Sequence, residues 1–223
     1  MKTKINEIFA SIQGEGPVVG FKQLFIRFCG CNLNCDYCDT EFQTGTEYTP
    51  AELAQKITSE YNLKTFHSIS LTGGEPLLSA EFLKEFLPLI KGKTKIYLET
   101  NATMPEKFEL IKNYIDIIAA DIKLKSSSGK NTFEQNACFF EKCQEINTFA
   151  KIVFNENIED EEIRICSELG KRYNIELILQ PEMEKENRMR INSKFCSDVL
   201  EKFTEIYPNT RLIPQVHKFI DVR

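Results

Sequence analysis

Residues 24–38 read Leu-Phe-Ile-Arg-Phe-Cys-Gly-Cys-Asn-Leu-Asn-Cys-Asp-Tyr-Cys, an apolar run of strand length that leads directly into a cysteine-rich loop. Three of these cysteines, Cys31, Cys35 and Cys38, have the spacing Cys-x-x-x-Cys-x-x-Cys. Soft thiolates bind iron and sulfide well, and a short loop can direct three of them at one centre. Because a cubane cluster with three protein ligands keeps one iron open to another ligand, the spacing predicts a catalytic iron–sulfur cluster.

The remaining cysteines and histidines leave other uses of this loop open. A zinc site completed by a distant ligand, a redox-active Cys-x-x-Cys pair and a structural disulfide are the alternatives. Zinc fits less well because the two histidines, His67 and His217, are far from the loop in sequence. Cys29 could replace Cys31 as a ligand, but it ends the apolar run, where a small buried side chain is expected. The same buried role is expected for four scattered cysteines: Cys138, Cys143, Cys166 and Cys196.

Length and charge restrict the class of protein. The 223 residues suffice for one domain and contain no linker-like segment, so we expect a single domain over residues 1–223. A net charge of -5 argues against a DNA or RNA footprint and favours a small-molecule substrate. Asn6 and Glu7 interrupt the amino terminus before a signal-peptide core could form, and no stretch approaches the length of a membrane span. We therefore expect a cytoplasmic protein whose cysteines are thiols or metal ligands.

Apolar runs of strand length alternate with amphipathic stretches of helix length, which indicates βα units around a parallel sheet. The pattern predicts strands at residues 23–28, 67–72, 95–100, 116–121, 149–154 and 175–180, and helices at residues 50–61, 79–91, 105–113, 132–146, 159–173 and 192–206. Thr49, before Pro50, and Asn192 are expected to cap two of these helices. Because about six units are too few for an eight-stranded barrel, we predict an α/β fold with an open or partial barrel.

Polar or glycine-rich residues follow the carboxyl ends of most of these strands, at residues 29–38, 72–76, 99–101, 121–123 and 180–181. Ligands bind at this rim in parallel α/β sheets, so we expect one site assembled from separate loops. Within the rim, Gly73 and Gly74 predict a close backbone approach, either to the adjacent helix or to a ligand. A simple strand-to-helix turn would explain the same glycines.

Three further places offer candidate ligand contacts. Arg27 interrupts an apolar strand, and if it points inward it needs an anion such as a substrate carboxylate. Gln13 and Glu15, in a glycine-containing loop, could bind the hydrogen-bonding edge of a heterocycle. Residues 39–41 (Asp-Thr-Glu) offer the oxygen ligands that magnesium takes. In each place a solvent-facing side chain or a turn is the alternative.

Several segments together resemble a known group of enzymes. Residues 31–38 match the cluster motif of the radical S-adenosylmethionine (SAM) superfamily, including the aromatic residue before the last cysteine. Within that superfamily the chain is similar to the family of 7-carboxy-7-deazaguanine synthases. This more specific resemblance is carried by residues 9–16 (Phe-Ala-Ser-Ile-Gln-Gly-Glu-Gly), 25–33 (Phe-Ile-Arg-Phe-Cys-Gly-Cys-Asn-Leu), 38–40 (Cys-Asp-Thr) and 214–218 (Pro-Gln-Val-His-Lys).

The resemblance implies a partial, open barrel of the radical SAM type that uses a [4Fe-4S] cluster, SAM and Mg²⁺. It implies a carbon–nitrogen lyase that contracts the ring of 6-carboxy-5,6,7,8-tetrahydropterin to 7-carboxy-7-deazaguanine with release of ammonia, as in queuosine biosynthesis. The implied partners are the pterin, an electron donor such as a flavodoxin or ferredoxin, and a second copy of the chain in a homodimer. No nucleic acid or membrane is expected.

The same resemblance assigns residues to each ligand, in an N-terminal substrate loop at 9–17, in a cluster loop at 29–40 and at the strand ends. The implied ligands of the [4Fe-4S] cluster are Cys31, Cys35 and Cys38, and the implied magnesium ligand is Thr40. The implied SAM contacts are Tyr37, Cys38, Asp39, Gly74, Asn101, Ser126, Ser127, Ser128 and Gln180. The implied pterin contacts are Ile12, Gln13, Gly14, Arg27 and Thr72.

The chain departs from the family pattern in two places. Residues 121–126 lack the prolines expected there, so the register of the following serines stays open, and the chain ends at Asp221-Val222-Arg223 without the expected tryptophan or glycine-rich tail. Three alternatives in function also stay open: a radical activase acting on a protein partner, a ferredoxin-like electron carrier and a zinc-binding interaction module.

Overall fold

The computed structural model describes residues 1–38, 44–184 and 188–222. Within these ranges one sheet contains nine strands: β1 (Thr3–Ile12), β2 (Lys22–Phe28), β3 (Thr46–Tyr48), β4 (Ser68–Gly73), β5 (Lys95–Thr100), β6 (Ile117–Ile122), β7 (Asn147–Phe154), β8 (Glu176–Pro181) and β9 (Thr210–Leu212). The same ranges contain eight α-helices: α1 (Pro50–Glu60), α2 (Ala80–Ile90), α3 (Pro105–Phe108), α4 (Lys125–Ser128), α5 (Phe133–Lys142), α6 (Asp160–Tyr173), α7 (Ser193–Ile206) and α8 (Val216–Phe219).

The strands follow the spatial order β3-β1-β2-β4-β5-β6-β7-β8-β9. β2 and β4 to β9 are parallel neighbours, whereas β1 pairs antiparallel with β2 and β3 pairs antiparallel with β1. In the described ranges β3 and β9 do not pair with each other, so the sheet is open and not a closed barrel. The predicted α/β class is confirmed, with seven parallel strands where about six were expected.

The predicted strands are all present, but β1, β3 and β9 were not predicted. β1 is half exposed along most of its length, and β3 and β9 each have three residues. Such strands lack the continuous apolar run that identifies a parallel strand buried on both faces. Two predicted helices are shorter than expected, because α3 ends at Phe108 and α5 ends at Lys142.

Alternation along the parallel strands divides the sheet into two chemically different faces. In β2, Leu24, Ile26 and Phe28 join the large apolar core, which also contains the buried faces of the long helices. The alternate residues Gln23, Phe25 and Arg27 point to the opposite side, because successive side chains of a strand alternate. We call this opposite side the inner face. Its apolar part is a small cluster near the amino ends of the strands: Tyr97, Ile117, Ala119, Phe149 and Ile178.

Both predicted helix caps are present. Thr49 accepts a hydrogen bond from the backbone of Glu52 at 3.3 Å, and the Glu52 carboxylate accepts one from the Thr49 backbone at 2.7 Å. Asn192 caps α7 by accepting from Phe195 N at 2.9 Å. None of the helices in the described ranges is long and apolar enough to cross a membrane.

Candidate active site

A cavity of about 330 Å³ lies at the carboxyl ends of the parallel strands. The strands contribute these inner-face side chains to its lining: Arg27, Thr72, Glu99, Asp121, Lys151 and Gln180. Because parallel strands end at the same edge of the sheet, residues far apart in sequence meet here. The strand ends that were expected to share one site do line one cavity.

Most of the residues singled out in the sequence line this cavity. They are Ile12, Gln13, Gly14, Arg27, Cys31, Cys35, Tyr37, Cys38, Thr72, Gly74, Asn101 and Gln180. Asp39 and Thr40 lie outside the described residues, so their implied contacts with SAM and magnesium stay predictions. Ser126, Ser127 and Ser128 do not line the cavity, although the resemblance implied SAM contacts for them.

The three serines are occupied by contacts within the protein. Ser126 donates to the Glu162 carboxylate at 2.5 Å, and Ser127 donates to Val153 O at 2.8 Å. The backbone carbonyl of Ser128 accepts a hydrogen bond from Asp36 N at 3.3 Å. This segment therefore supports the cluster loop from outside the cavity. The residue of this region that does reach the cavity is Lys123, three positions upstream of Ser126.

The thiol positions distinguish Cys29 from the other cysteines of the loop. Cys29 Sγ donates to Thr44 O at 3.3 Å, and Cys29 does not line the cavity. Cys31, Cys35 and Cys38 all line it. Burial raises the pKa of the Cys31 and Cys35 thiols, and the positive charge of Lys123 opposes this rise. Three soft donors on one cavity, with a cation nearby to favour thiolates, fit an iron–sulfur cluster.

A single metal ion would need ligands that converge on one point. No group of three His, Cys, Asp or Glu side chains converges in this way within residues 1–38, 44–184 and 188–222. A four-iron cluster is larger than one ion, so its cysteine ligands stand farther apart. Of the remaining cysteines, Cys143, Cys166 and Cys196 are buried as expected, whereas Cys138 is exposed, contrary to the expectation.

The glycine pair after β4 provides close backbone packing against the cluster loop. Gly73 has φ +126°, and a Cβ on Gly74 would lie 1.8 Å from Gly30 O. Glu75 N donates to the same Gly30 carbonyl at 2.8 Å. The close approach is therefore made to the cluster loop, and not to the adjacent helix as one of the two expectations had it.

The buried Glu75 carboxylate joins the ends of β4 and β5. It accepts hydrogen bonds from Leu77 N at 3.0 Å, Thr100 Oγ1 at 2.8 Å and Asn101 N at 2.8 Å. Burial raises its pKa to about 7 in spite of these donors. Asn101 in turn donates from Nδ2 to Asn32 Oδ1 at 2.8 Å. Glu75 thus orients the strand end that contacts the cluster loop.

The implied pterin contacts meet at Glu99. Gln13 Nε2 donates to Glu99 Oε1 at 3.0 Å and to Gln23 Oε1 at 2.9 Å. Thr72 Oγ1 donates to Glu99 Oε2 at 2.9 Å. Arg27 Nε bonds Glu7 at 2.7 Å, and its two Nη groups have no hydrogen bond in the described part of the chain. Among the described residues, the predicted need of Arg27 for an anion is thus met by Glu7 at Nε.

The resemblance did not assign several charged residues of the cavity, among them Glu15, Asp121, Lys123 and Lys151. Lys123 Nζ lies 2.7 Å from Asp121 Oδ2 and 3.0 Å from Tyr37 OH, and Lys151 forms an ion pair with Glu15. Burial by itself lowers the pKa of both lysines, but Asp121 together with the other acidic partners, Tyr37 at Lys123 and Glu15 at Lys151, outweighs it, and both pKa values are raised. The signal that singled out Arg27 is a cation within an apolar strand. Lys151 has the same signal and could have been found by it.

In the described part of the chain, the cavity has one unpaired acceptor on β8 and is also bordered by the carboxyl-terminal segment. Gln180 Oε1 is buried and has no hydrogen-bond partner among the described residues, so it needs an N–H donor. The carboxyl-terminal segment also reaches the cavity, because Val216 N donates to Gly14 O at 2.9 Å and a Cβ on Gly14 would lie 2.2 Å from His217 Nδ1. His217 lines the cavity, whereas His67 does not.

Comparison with known proteins places the chain in a family. Residues 25–164 match the Radical SAM superfamily. The 7-carboxy-7-deazaguanine synthase of Geobacter sulfurreducens is 36% identical, over 97% of this chain and 96% of that protein. The protein of the same name from Archaeoglobus fulgidus is 35% identical over 100% of both chains.

A solved structure shows the same fold. QueE from Escherichia coli is similar with a TM-score of 0.66 and 22% sequence identity, over 97% of this chain and 95% of that chain. The expected open sheet of the radical SAM type is thereby confirmed. The superfamily match sets aside the carrier and zinc-module alternatives and implies a [4Fe-4S] cluster and SAM, which the three cavity cysteines fit. This chain is a radical SAM enzyme and belongs to the family of the 7-carboxy-7-deazaguanine synthases.

Proposed function

We propose that this protein converts 6-carboxy-5,6,7,8-tetrahydropterin to 7-carboxy-7-deazaguanine, with release of ammonia, in queuosine or related deazapurine biosynthesis. The observation that carries the proposal is the shared cavity. The cluster cysteines and the implied pterin contacts Gln13, Arg27 and Thr72 line the same 330 Å³. Radical chemistry and pterin binding would then take place within one cavity.

The cluster and SAM, when bound, would supply radical chemistry for removing a hydrogen atom from the substrate. Cys31, Cys35 and Cys38 would hold the cluster. Tyr37, Asn101, Gly74 and Gln180 would contact SAM, and the partnerless Gln180 Oε1 is suited to an amino group of a ligand. The serines at 126–128 would act by supporting the cluster loop, since their hydroxyls bond within the protein.

Binding of the pterin would use both ends of the inner-face polar network. The Nη groups of Arg27 would bind the substrate carboxylate, because a guanidinium and a carboxylate make two parallel charge-assisted hydrogen bonds. Gln13, Thr72 and Glu99 would present the polar wall of the site. Ile12 and Gly14 would contribute backbone groups from the substrate loop.

Magnesium, a partner subunit and an electron donor complete the proposal on the basis of the family resemblance. Thr40 would ligate Mg²⁺ beside the substrate, where the ion would orient the reacting ring and stabilise its charge. A homodimer and a flavodoxin or ferredoxin as reductant are part of the same proposal, as is a cytoplasmic location. The net charge of -5 agrees with a small-molecule substrate.

An anaerobic turnover assay tests the proposal. Reconstituted protein, dithionite, SAM, magnesium and 6-carboxytetrahydropterin are incubated together, and products are identified by mass spectrometry beside a Cys35→Ala control. We expect 7-carboxy-7-deazaguanine from the wild type and none from the control. SAM cleavage with recovery of unchanged pterin would contradict the substrate assignment and favour an activase.

A further inference from the structure

A row of partly buried charges connects the substrate loop with the cluster loop. Lys151 on β7 forms an ion pair with Glu15, and its Nζ lies 3.3 Å from Asp121 Oδ1. Asp121 Oδ2 is 2.7 Å from Lys123 Nζ, which also donates to Tyr37 OH at 3.0 Å. The Lys151 side chain is 11% exposed and the Glu15 side chain 18%, so this ion pair is shielded from water.

Stability does not account for a lysine at this position. A buried ion pair loses much of its attraction to desolvation, and replacing such pairs by apolar residues is often neutral or stabilising. Along β7 the neighbours of Lys151 on the same face, Phe149 and Val153, are apolar, whereas across the strands its ammonium faces the carboxylates of Glu15 and Asp121. A charged group retained there points to a role in the site.

Among the described residues, the hydrogen bond of Lys151 goes to Glu15 and not to Asp121. The Asp121 Oδ1 atom is buried and makes no hydrogen bond, although the Lys151 ammonium is near. Glu15 also accepts from Gln215 Nε2 at 2.7 Å and from Gln180 Nε2 at 3.4 Å. Glu15 is therefore held by β7, by β8 and by the segment that precedes α8.

We propose that Lys151 is a positioning residue that holds Glu15 as a charged, oriented acceptor for the N–H groups of the pyrimidine ring of the pterin. The inference rests on the proposed substrate. A pterin carries an amino group and a ring N–H side by side, and an ionised carboxylate accepts both while a neutral acid accepts them poorly. The 3.4 Å bond from Gln180 is the weakest of those on Glu15 and would be the first to yield to a ligand.

The electrostatics around Glu15 agree with this role. Burial by itself raises the pKa of Glu15, but Lys151, the hydrogen bond from Gln215 and the charge of His217 outweigh it and lower the pKa to about 2. The acidic groups that face Lys151 are Asp121 and Glu99, and Tyr97 lies below them on the inner face. Without the ammonium, burial and these carboxylates would favour a neutral Glu15.

The test is the affinity of the anaerobic holoenzyme for 6-carboxypterin, the oxidised and unreactive analogue, measured by pterin fluorescence. For Lys151→Met we expect Kd to rise on the order of tenfold or more, because charge-assisted bonds are weakened. We also expect Kd of this variant to rise further as the pH falls through the new pKa of Glu15, whereas Kd of the wild type has no Glu15-dependent change from mildly acidic to mildly alkaline pH. Lys142→Met, a change at a helix-terminal lysine outside the cavity, is the matched control and should bind as the wild type does.

A double-mutant cycle shows whether Lys151 acts through Glu15. In the Glu15→Gln background, Lys151→Met should cause little further loss of affinity. In the double variant neither residue 15 nor residue 151 is charged, and Asp121 keeps its ion pair with Lys123. The affinities of Glu15→Gln and Glu15→Gln/Lys151→Met can therefore be compared even if Lys151→Met alone does not fold. Losses that add in full would overturn the proposal, because Lys151 would then act independently of Glu15.

The two proposals fail in different ways. If the wild type neither binds 6-carboxypterin nor turns over its tetrahydro form, the proposed function fails and the role of Lys151 fails with it. If the wild type binds and turns over the pterin while Lys151→Met has the same Kd and the same pH profile, only the role of Lys151 is overturned.

Discussion

Asn101 donates a hydrogen bond from Nδ2 to Asn32 Oδ1 at 2.8 Å, which ties the carboxyl end of β5 to the cluster loop. Thr103 completes a closed triad, because its hydroxyl donates to Asn101 Oδ1 at 2.6 Å and accepts from Asn32 Nδ2 at 2.9 Å. Asn101, which is implied to contact SAM, thus also supports the cluster loop.

The two roles of Asn101 can be separated by substitution. Asn101→Ala should weaken SAM binding by roughly tenfold, since it removes both a loop support and an implied ligand contact. Thr103→Ala removes only loop support and should have a smaller effect. SAM affinity is measured by titration of the reduced cluster's electron paramagnetic resonance signal. Equal losses in the two variants would mean that Asn101 acts only by holding the loop.

Cys29 and Cys31 should differ in cluster assembly. Cys31→Ala should abolish the cluster, because it removes one of the three cavity thiols, whereas Cys29→Ala should retain it, since Cys29 Sγ bonds Thr44 O away from the cavity. Iron per chain after anaerobic reconstitution, with the visible absorption spectrum, measures the difference. Full iron content in Cys31→Ala and loss in Cys29→Ala would reverse the assignment.

Gly74→Ala should destabilise the cluster loop. Its Cβ would lie 1.8 Å from Gly30 O, a backbone atom that cannot move without displacing the loop. We expect a lower melting temperature and a lower iron content. Gly92→Ala is the control, because no atom lies within 4 Å of a Cβ there and only its φ of +75° is unfavourable, at about 1 kcal/mol. A Gly74→Ala protein that is as stable and as iron-rich as the control would contradict the packing argument.

Glu75 should make stability depend on pH in a defined window. Its folded pKa of about 7 lies above the ordinary value of 4.5, so the folded chain keeps a proton that the unfolded chain has released. The contribution of Glu75 to the free energy of unfolding therefore falls as the pH rises from about 4.5 to about 7, by up to roughly 3 kcal/mol. Above that range the contribution is constant. Glu75→Gln removes the titration, so the gap in unfolding free energy between variant and wild type should change across this window. Urea unfolding of the cluster-free chains at a series of pH values measures it, and a constant gap would exclude the titration.

The parts of the site that were predictable are those whose signal is local. The spacing of Cys31, Cys35 and Cys38 identifies them as candidate ligands, and the position of Arg27 in an apolar run identifies it as a candidate anion-binding residue. Lys151 carries the same signal as Arg27, so it could have been found by the same argument. Ser126 to Ser128 were placed by resemblance, in a segment that departs from the family pattern, and the cavity is reached instead by Lys123.

Sequence alone determined the α/β class, the six central parallel strands and the three-cysteine loop, because burial on both faces and metal ligation each leave a pattern within a few residues. The tertiary structure decided the strands β1, β3 and β9, whose residues show no such pattern. It also decided that Cys29 faces away from the cavity, and that Glu15 pairs with Lys151 from 136 residues away. Such pairings depend on strand order and register, which arise only when the whole sheet is assembled.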